Sequence, residues 1–275
     1  MICPDEVDFL HYLAQVEYRG DGAIIEFGPL GGASTWALAS GAPTATLHAY
    51  DLWIYFDSLR DYFPQRKLRP GQNVLPLFAE NIRPFRDQVR PHRGDLRKQR
   101  WIGEPIEIVF VDAAKTPECL LHIFREFFPY VVPRGWIIWQ DYISCTCPWI
   151  QIALEELGDY FEYWDSPEGG TVVTRLKRTL PREGLARSYF SSLPMEKARA
   201  YMQKARDRCP GWEALDIWLG EALWLALANT PLEVCKIVEA VQQDPRFLQG
   251  SFDYDLNFVK HWVGATAAGQ RFEAF

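Results

Sequence analysis

The chain has 275 residues, 48% of them hydrophobic, and carries 29 Lys or Arg against 36 Asp or Glu for a net charge of −7. That length and apolar content support a packed core, either one large domain or a medium domain with a small one, and exclude wholesale disorder. The acidic balance disfavours general nucleic-acid binding, no apolar run reaches the roughly 18 residues of a membrane span, and MICPDEVDFL lacks a basic secretory start, so a cytoplasmic protein is expected.

The run 23–28 (AIIEFG) is short, apolar and β-branched, and reads as a buried strand ending in glycine. PLGGASTWALASG follows as a Gly-rich turn and a helix stopped by Gly41. A second strand, 46–51 (TLHAYD), ends in an acid. Residues 53–75 are aromatic and basic, with Pro64 and Pro70, and read as a partly helical lid rather than core. Residues 78–89 are expected to be helical despite Pro84, and 89–94 a poor strand weakened by Pro91. A clear strand covers 106–112 (IEIVFVD), and a helix covers 117–128 with Pro117 in its first turn. The turn signal Pro133-Arg134-Gly135 precedes a strand at 136–141 (WIIWQD), and 151–157 reads as helix. Residues 161–164 and 171–176 flank SPEGG and predict a hairpin.

Strands alternating with helices imply a doubly wound α/β domain over 1–179: a Rossmann-like, mostly parallel sheet with an antiparallel edge hairpin. Residues 180–275 show helical periodicity only. There KARDRCPGW and EAVQQDPRF align with Pro210 and Pro245 35 apart, a spacing like that of tetratricopeptide helix pairs. This all-helical segment is either a degenerate repeat or a plain extension, and in both cases offers a surface for a homodimer or a protein partner.

Six cysteines, Cys3, Cys119, Cys145, Cys147, Cys209 and Cys235, are scattered without paired zinc spacing and read as reduced, buried thiols. Charge is uneven: residues 60–100 hold eleven Lys or Arg and four Asp or Glu, a net +7 that leaves −14 elsewhere. That basic stretch is either a solvated face or a rim for an anionic substrate.

In such a sheet, ligands sit beyond the carboxyl ends of the strands. Three strand ends offer groups there. The turn from Glu26 through Gly28 to Gly32 permits close backbone approach. Asp51 has acceptors for two ribose hydroxyls, and Asp95, in HRGD, has one for an adenine amino group. The order E-x-G-x-x-G-G-x-S, an acid after the second strand, G-D after the third and VFVDAAK after the fourth resembles class I S-adenosylmethionine methyltransferases. More narrowly, residues 20–176 resemble small-molecule O-methyltransferases of the catechol, caffeoyl-CoA and macrolide-sugar types. The resemblance implies S-adenosylmethionine as cofactor, with Glu26, Gly28, Gly32 and Ser34 toward its methionine end, Asp51 on the ribose and Asp95 near the adenine. It also implies Asp112 and Lys115 as catalytic residues and Asp112, Gln140 and Asp141 as ligands of Mg2+, although Gln140 stands where the metal-dependent families carry an acid. The acceptor it implies is a hydroxyl of a small molecule or glycan, anionic if the basic stretch faces it. His48, His92 and His122 read as structural, with His92 the best placed of them as a base. Two rivals stay open: a catalytically degenerate methyltransferase-like scaffold, and an NAD-dependent oxidoreductase, although the turn lacks the third glycine of G-x-G-x-x-G.

Overall fold

A computed structural model describes residues 2–261, except 64, 65, 102, 166–169, 183, 210, 229, 250, 251, 253 and 254. By its contacts the chain forms two compact units: Met1–Ala113, Leu121–Gln140 and Asp159–Gly184 in the first, Ala114–Leu120, Asp141–Gly158 and Leu185–Phe275 in the second.

The first unit is built on a seven-stranded sheet. Its strands are β1 (Ala23–Phe27), β2 (Leu47–Asp51), β3 (Val89–Arg93), β4 (Ile106–Val111), β5 (Val131–Trp139), β6 (Phe161–Asp165) and β7 (Val172–Leu176). Their spatial order is β3-β2-β1-β4-β5-β7-β6; the first five run parallel, and β7 is antiparallel to both β5 and β6. This is the expected doubly wound sheet with an edge hairpin, whose tip, residues 166–169, lies outside the described residues. Every residue of β1 and β4 is buried, as central strands covered on both faces must be.

Side-chain alternation divides the core. Ile24, Leu47, Ala49, Ile108, Phe110, Trp136 and Ile138 share one face with helices α1 (Pro4–Glu17), α2 (Ala33–Gly41) and α3 (Leu75–Asn81). On the other face Phe27 meets Tyr50 and Phe127, with ring centroids 5.6 and 4.8 Å away. Gly41 allows α2 to lie against α1: a Cβ there would stand 2.4 Å from the His11 carbonyl.

Several expectations change. Within the aromatic segment after β2, Trp53 and Tyr55 are core, buried and joined to α3 through Val74 and Phe78, while Phe56 is exposed and the described residues from 57 to 73, with a 3-10 turn at Asp57–Tyr62, are exposed or half-buried. Pro84 ends the predicted helix early, so α3 gives way to a 3-10 turn at Arg83–Phe85. The 89–94 stretch is a regular strand, because as β3 it sits on the sheet edge where Pro91 costs no ladder bond on the open side. Pro133-Arg134-Gly135 is not a turn before β5 but a bulge within it. Ile106 pairs with Val131 and Ile108 with Trp136, and Arg134 adopts φ 67°. The bulge lies opposite Glu107, which is fully buried and accepts the backbone amides of Arg19 and Asp21, each at 2.7 Å, before β1 begins.

The second unit is helical. Helix α5 (Pro148–Glu156) packs on α7 (Met195–Arg208) and α8 (Glu213–Leu227), and α8 packs on α9 (Pro231–Gln243). Helix α4 (Pro117–Glu126) spans the division between the units, and α6 (Tyr189–Ser192) is a single turn. The ends of α7 and α9 fall 35 residues apart, at Arg208 and Gln243, but Pro210 of the repeat alignment lies outside the described residues. The expectation of buried thiols holds for Cys145, Cys147 and Cys209, whereas Cys3 and Cys119 are half-buried and Cys235 is exposed.

Two consequences are measurable. Replacing Glu107 by Leu leaves two amides without their acceptor, and chemical denaturation should show a loss of about 3 kcal/mol. His48 is buried and stacked on His92, with its Nδ1 2.9 Å from His92 Nε2, and burial lowers its pKa from 6.5 to about 4. A folded pKa below the unfolded one means that stability is complete above 6.5 and is lost as pH falls toward 4. Over that window the native protein should lose on the order of 2 kcal/mol more than His48→Phe, and equal pH slopes would refute this assignment.

Candidate functional site

The carboxyl ends of β1, β2, β3 and β4 meet around the turn 28–32. Gly28 has φ 91°, and its amide donates to the Tyr50 carbonyl at 2.9 Å. A Cβ at Gly28 would stand 2.9 Å from the carbonyl oxygen of Asp112, so only glycine lets the turn cross the end of β4. Gly32, at φ 92°, begins α2 in contact with α3, where a Cβ would approach Ile82 to 2.8 Å.

Asp51 organises this turn. One carboxylate oxygen accepts the Leu30 amide at 3.0 Å and the other the Trp53 amide at 2.6 Å. Leu30 and Trp53 have φ 42° and 46°, a left-handed backbone that side-chain-bearing residues rarely adopt. The Trp53 indole donates to the Leu30 carbonyl at 3.2 Å, and the Asn81 side chain donates to Gly31 at 2.8 Å. The carboxylate keeps acceptor capacity beyond these bonds, so Asp51 can accept a hydroxyl as well as hold the loop. Burial raises its pKa, against the lowering effect of the amides of Trp53, Leu30 and Leu52.

Glu26 shares a face with Ile24 and therefore turns toward α2 rather than toward the strand ends. It is fully buried and accepts hydrogen bonds from the Ser34 hydroxyl and, at 2.5 Å, the Thr35 hydroxyl. Burial pushes its pKa up to about 7. The two hydroxyls oppose this rise, and the charges of Asp112 and Asp51 add to it. Ser34 thus spends its hydroxyl on Glu26, and both residues anchor the first turn of α2 behind the glycines.

At the end of β3, Gly94 has φ 141° and donates to the Asp51 carbonyl at 2.9 Å. Asp95 starts a 3-10 turn, accepting the Arg97 amide and pairing with the Arg97 guanidinium through contacts of 3.0 Å. That guanidinium holds its pKa below the usual carboxylate range. His92 lies between His48 and Tyr50, stacked at ring distances of 5.1 and 4.4 Å, and His122 binds the Gln99 carbonyl. All three histidines thus have structural partners.

At the ends of β4 and β5, the Asp112 amide donates to Phe27 and the Gln140 amide to Val111, continuing the sheet ladder. In the second unit, Lys115 Nζ and Asp141 Oδ2 form an ion pair of 2.5 Å. Among the described residues, Asp112 and Asp141 belong to no cluster of three His, Cys, Asp or Glu donors within metal-binding range. Sequence reasoning missed Thr35, Trp53 and Asn81. Thr35 sits beside Ser34 in the quoted motif, and Trp53 lies two residues from Asp51, so proximity was the available signal for both.

Residues 25–142 match a family described as a methyltransferase domain. No curated protein matches the chain in sequence. Similar solved structures include the O-methyltransferase NovP, at 13% identity and TM-score 0.48, covering 63% of this chain and 80% of that one. A methyltransferase from Geobacter sulfurreducens aligns at 14% identity and TM-score 0.42, covering 65% and 81%. The SAH-bound methyltransferase PaMTH1 from Podospora anserina aligns at 14% and 0.44, covering 65% and 80%. Over residues 25–142, then, the chain is similar to a methyltransferase domain.

Proposed function

We propose that the chain transfers a methyl group from S-adenosylmethionine to a hydroxyl of a small molecule or glycan. The observation that carries this reading is Asp51: a carboxylate that fixes the glycine turn and keeps acceptor capacity where β2 ends. In this reading Asp51 takes the ribose, Gly28 and Gly32 give backbone access to the methionine end, and Glu26 and Ser34 hold that turn from behind. Asp95 borders the adenine through the short turn that it caps. The basic stretch around β3, with Arg90 and Arg93 exposed, favours an acceptor carrying negative charge.

The reaction is an in-line displacement. The acceptor oxygen bonds to the methyl carbon, the sulfur–methyl bond breaks to leave a neutral thioether, and the hydroxyl proton passes to a base. Asp112, at the end of β4, and Lys115, three residues on, are the groups we assign to the acceptor side. Paired with Asp141, the Lys115 ammonium is a donor and orients the hydroxyl oxygen, while a carboxylate takes the proton.

Mg2+ does not fit this donor set. Gln140 supplies a neutral amide, a poorer magnesium ligand than a carboxylate, and Asp141 is engaged by Lys115. No step is assigned to a metal, and Lys115 supplies the local positive charge. A second reading, a scaffold that keeps the fold without turnover and recruits a partner through α7–α9, draws on the same Gln140. Methyl transfer that is lost in Asp112→Ala would eliminate it.

Calorimetry with S-adenosylhomocysteine should show one site, with the same affinity in Mg2+ and in EDTA. Asp51→Ala should weaken it by roughly 30-fold or more, since two charge-assisted bonds are lost. No binding to the native protein would overturn the proposal, and a magnesium-dependent affinity would return Asp112 and Asp141 to the role of metal ligands. The pKa of Glu26 adds a second test. S-adenosylmethionine carries a sulfonium charge that the homocysteine product lacks, so its affinity should rise on the order of fivefold as pH passes upward through about 7 and Glu26 ionises. Product affinity should change less, and Glu26→Gln should flatten the difference.

A further inference from the structure

Away from the glycine turn, the helical unit contains a second group of convergent donors. Cys145 lies on the loop before α5, Asp216 in the first turn of α8, and Asp255 on a short helical segment, 255–261. Asp216 is 71 residues from Cys145 in sequence and Asp255 is 110, yet the thiol and both carboxylates offer ligand atoms all within 4.8 Å of one another. Cys145 Sγ is 3.4 Å from Asp255 Oδ1, and the Cys145 amide donates to Asp216 Oδ1 at 3.3 Å. Helix α8 comes in close at this point: a Cβ on Gly220, one turn beyond Asp216, would stand 3.4 Å from the Cα of Cys145. Cys147, two residues on, is also buried.

Among the described residues the group has no counter-charge bonded to it: no Lys, Arg or His side chain bonds to Asp216 or Asp255. Burial, and for Asp216 also the charge of Asp255, raise the two carboxyl pKa values, and burial raises that of the thiol. A buried thiol between two half-buried carboxyls either keeps its protons or holds a cation. A thiolate with two carboxylates is a donor set for a borderline ion, Zn2+, rather than for Mg2+, which takes oxygen ligands only.

We propose that Cys145, Asp216 and Asp255 bind Zn2+, with water completing its four-coordinate shell, and so fasten the loop before α5 to α8 and to segment 255–261. On binding, the thiol proton and any proton held by the carboxyls pass to solvent. The expectation of inert thiols without a zinc pattern is revised for Cys145 alone, because its partners are distant in sequence.

The test uses the full chain, stripped of metal and titrated with Co2+ as a spectroscopic stand-in. One equivalent should produce the near-ultraviolet thiolate-to-cobalt charge-transfer band in the native protein and in Cys235→Ser, in which the exposed thiol is removed. The band should be absent from Cys145→Ser. Zinc at about 100 times its dissociation constant should raise the native Tm by roughly 5–10 °C, and Asp216→Asn and Asp255→Asn should each lose most of that rise. The proposal is overturned if the native protein shows no sulfur-to-cobalt band, or if its Tm is the same in zinc and in chelator. It also fails if Asp216→Asn melts as high as the native chain in zinc buffer, which would show two carboxyls merely sharing a proton.

Discussion

The first unit depends on a single carboxylate. Asp51 accepts the amides of Leu30 and Trp53, two residues held in the left-handed region where each costs of order 1–3 kcal/mol. Hydrogen bonds to a charged acceptor supply energy of the same size, so strain and attraction balance at this point. The result is a turn shaped before any ligand arrives. Behind it, Glu26 closes the first turn of α2 through Ser34 and Thr35, and Gly28 allows the turn to cross β4 at contact distance. Loop geometry that would otherwise be ordered at binding is thus fixed by folding, which lowers the entropic cost of taking up a cofactor.

Much of this was legible in the sequence, and the reasons are specific. β1, β2 and β4 are short apolar runs ending in Gly28, Asp51 and Asp112, because a central parallel strand is buried on both faces and meets solvent only at its end. The directions of side chains were less legible. Glu26 belongs to the motif, but the two-residue period of β1 points it toward α2. Trp53 and Tyr55 read as a lid because composition does not say which rings turn inward. Their alternation with Leu52 and Phe56, both exposed, carries that information. The bulge at Pro133-Arg134-Gly135 imitates a turn locally, and only its partner strand β4 shows that the ladder resumes on both sides of it.

Contacts distant along the chain were not legible at all. Neither the Lys115–Asp141 pair nor the meeting of Cys145 with Asp216 and Asp255 follows from spacing, because each depends on how helices and loops pack. Residue types still limit the chemistry that each group can perform. A lysine held by a carboxylate is a donor, whereas a thiol beside two acids is a group that gains a charge only by giving up protons in exchange for a cation.

The way the chain passes between its two units has an evolutionary consequence. Residues 114–120 and 141–158 belong to the helical unit although both are flanked by strands of the sheet. Helix α5 carries Trp149, Ile150, Ile152 and Leu154, all buried, and packs on α7 and α8. No single cut therefore separates the units. Gain or loss of the terminal helices would expose that apolar helix in mid-chain, so they cannot be exchanged as a cassette, and sheet and helices are bound to diverge as one inherited piece.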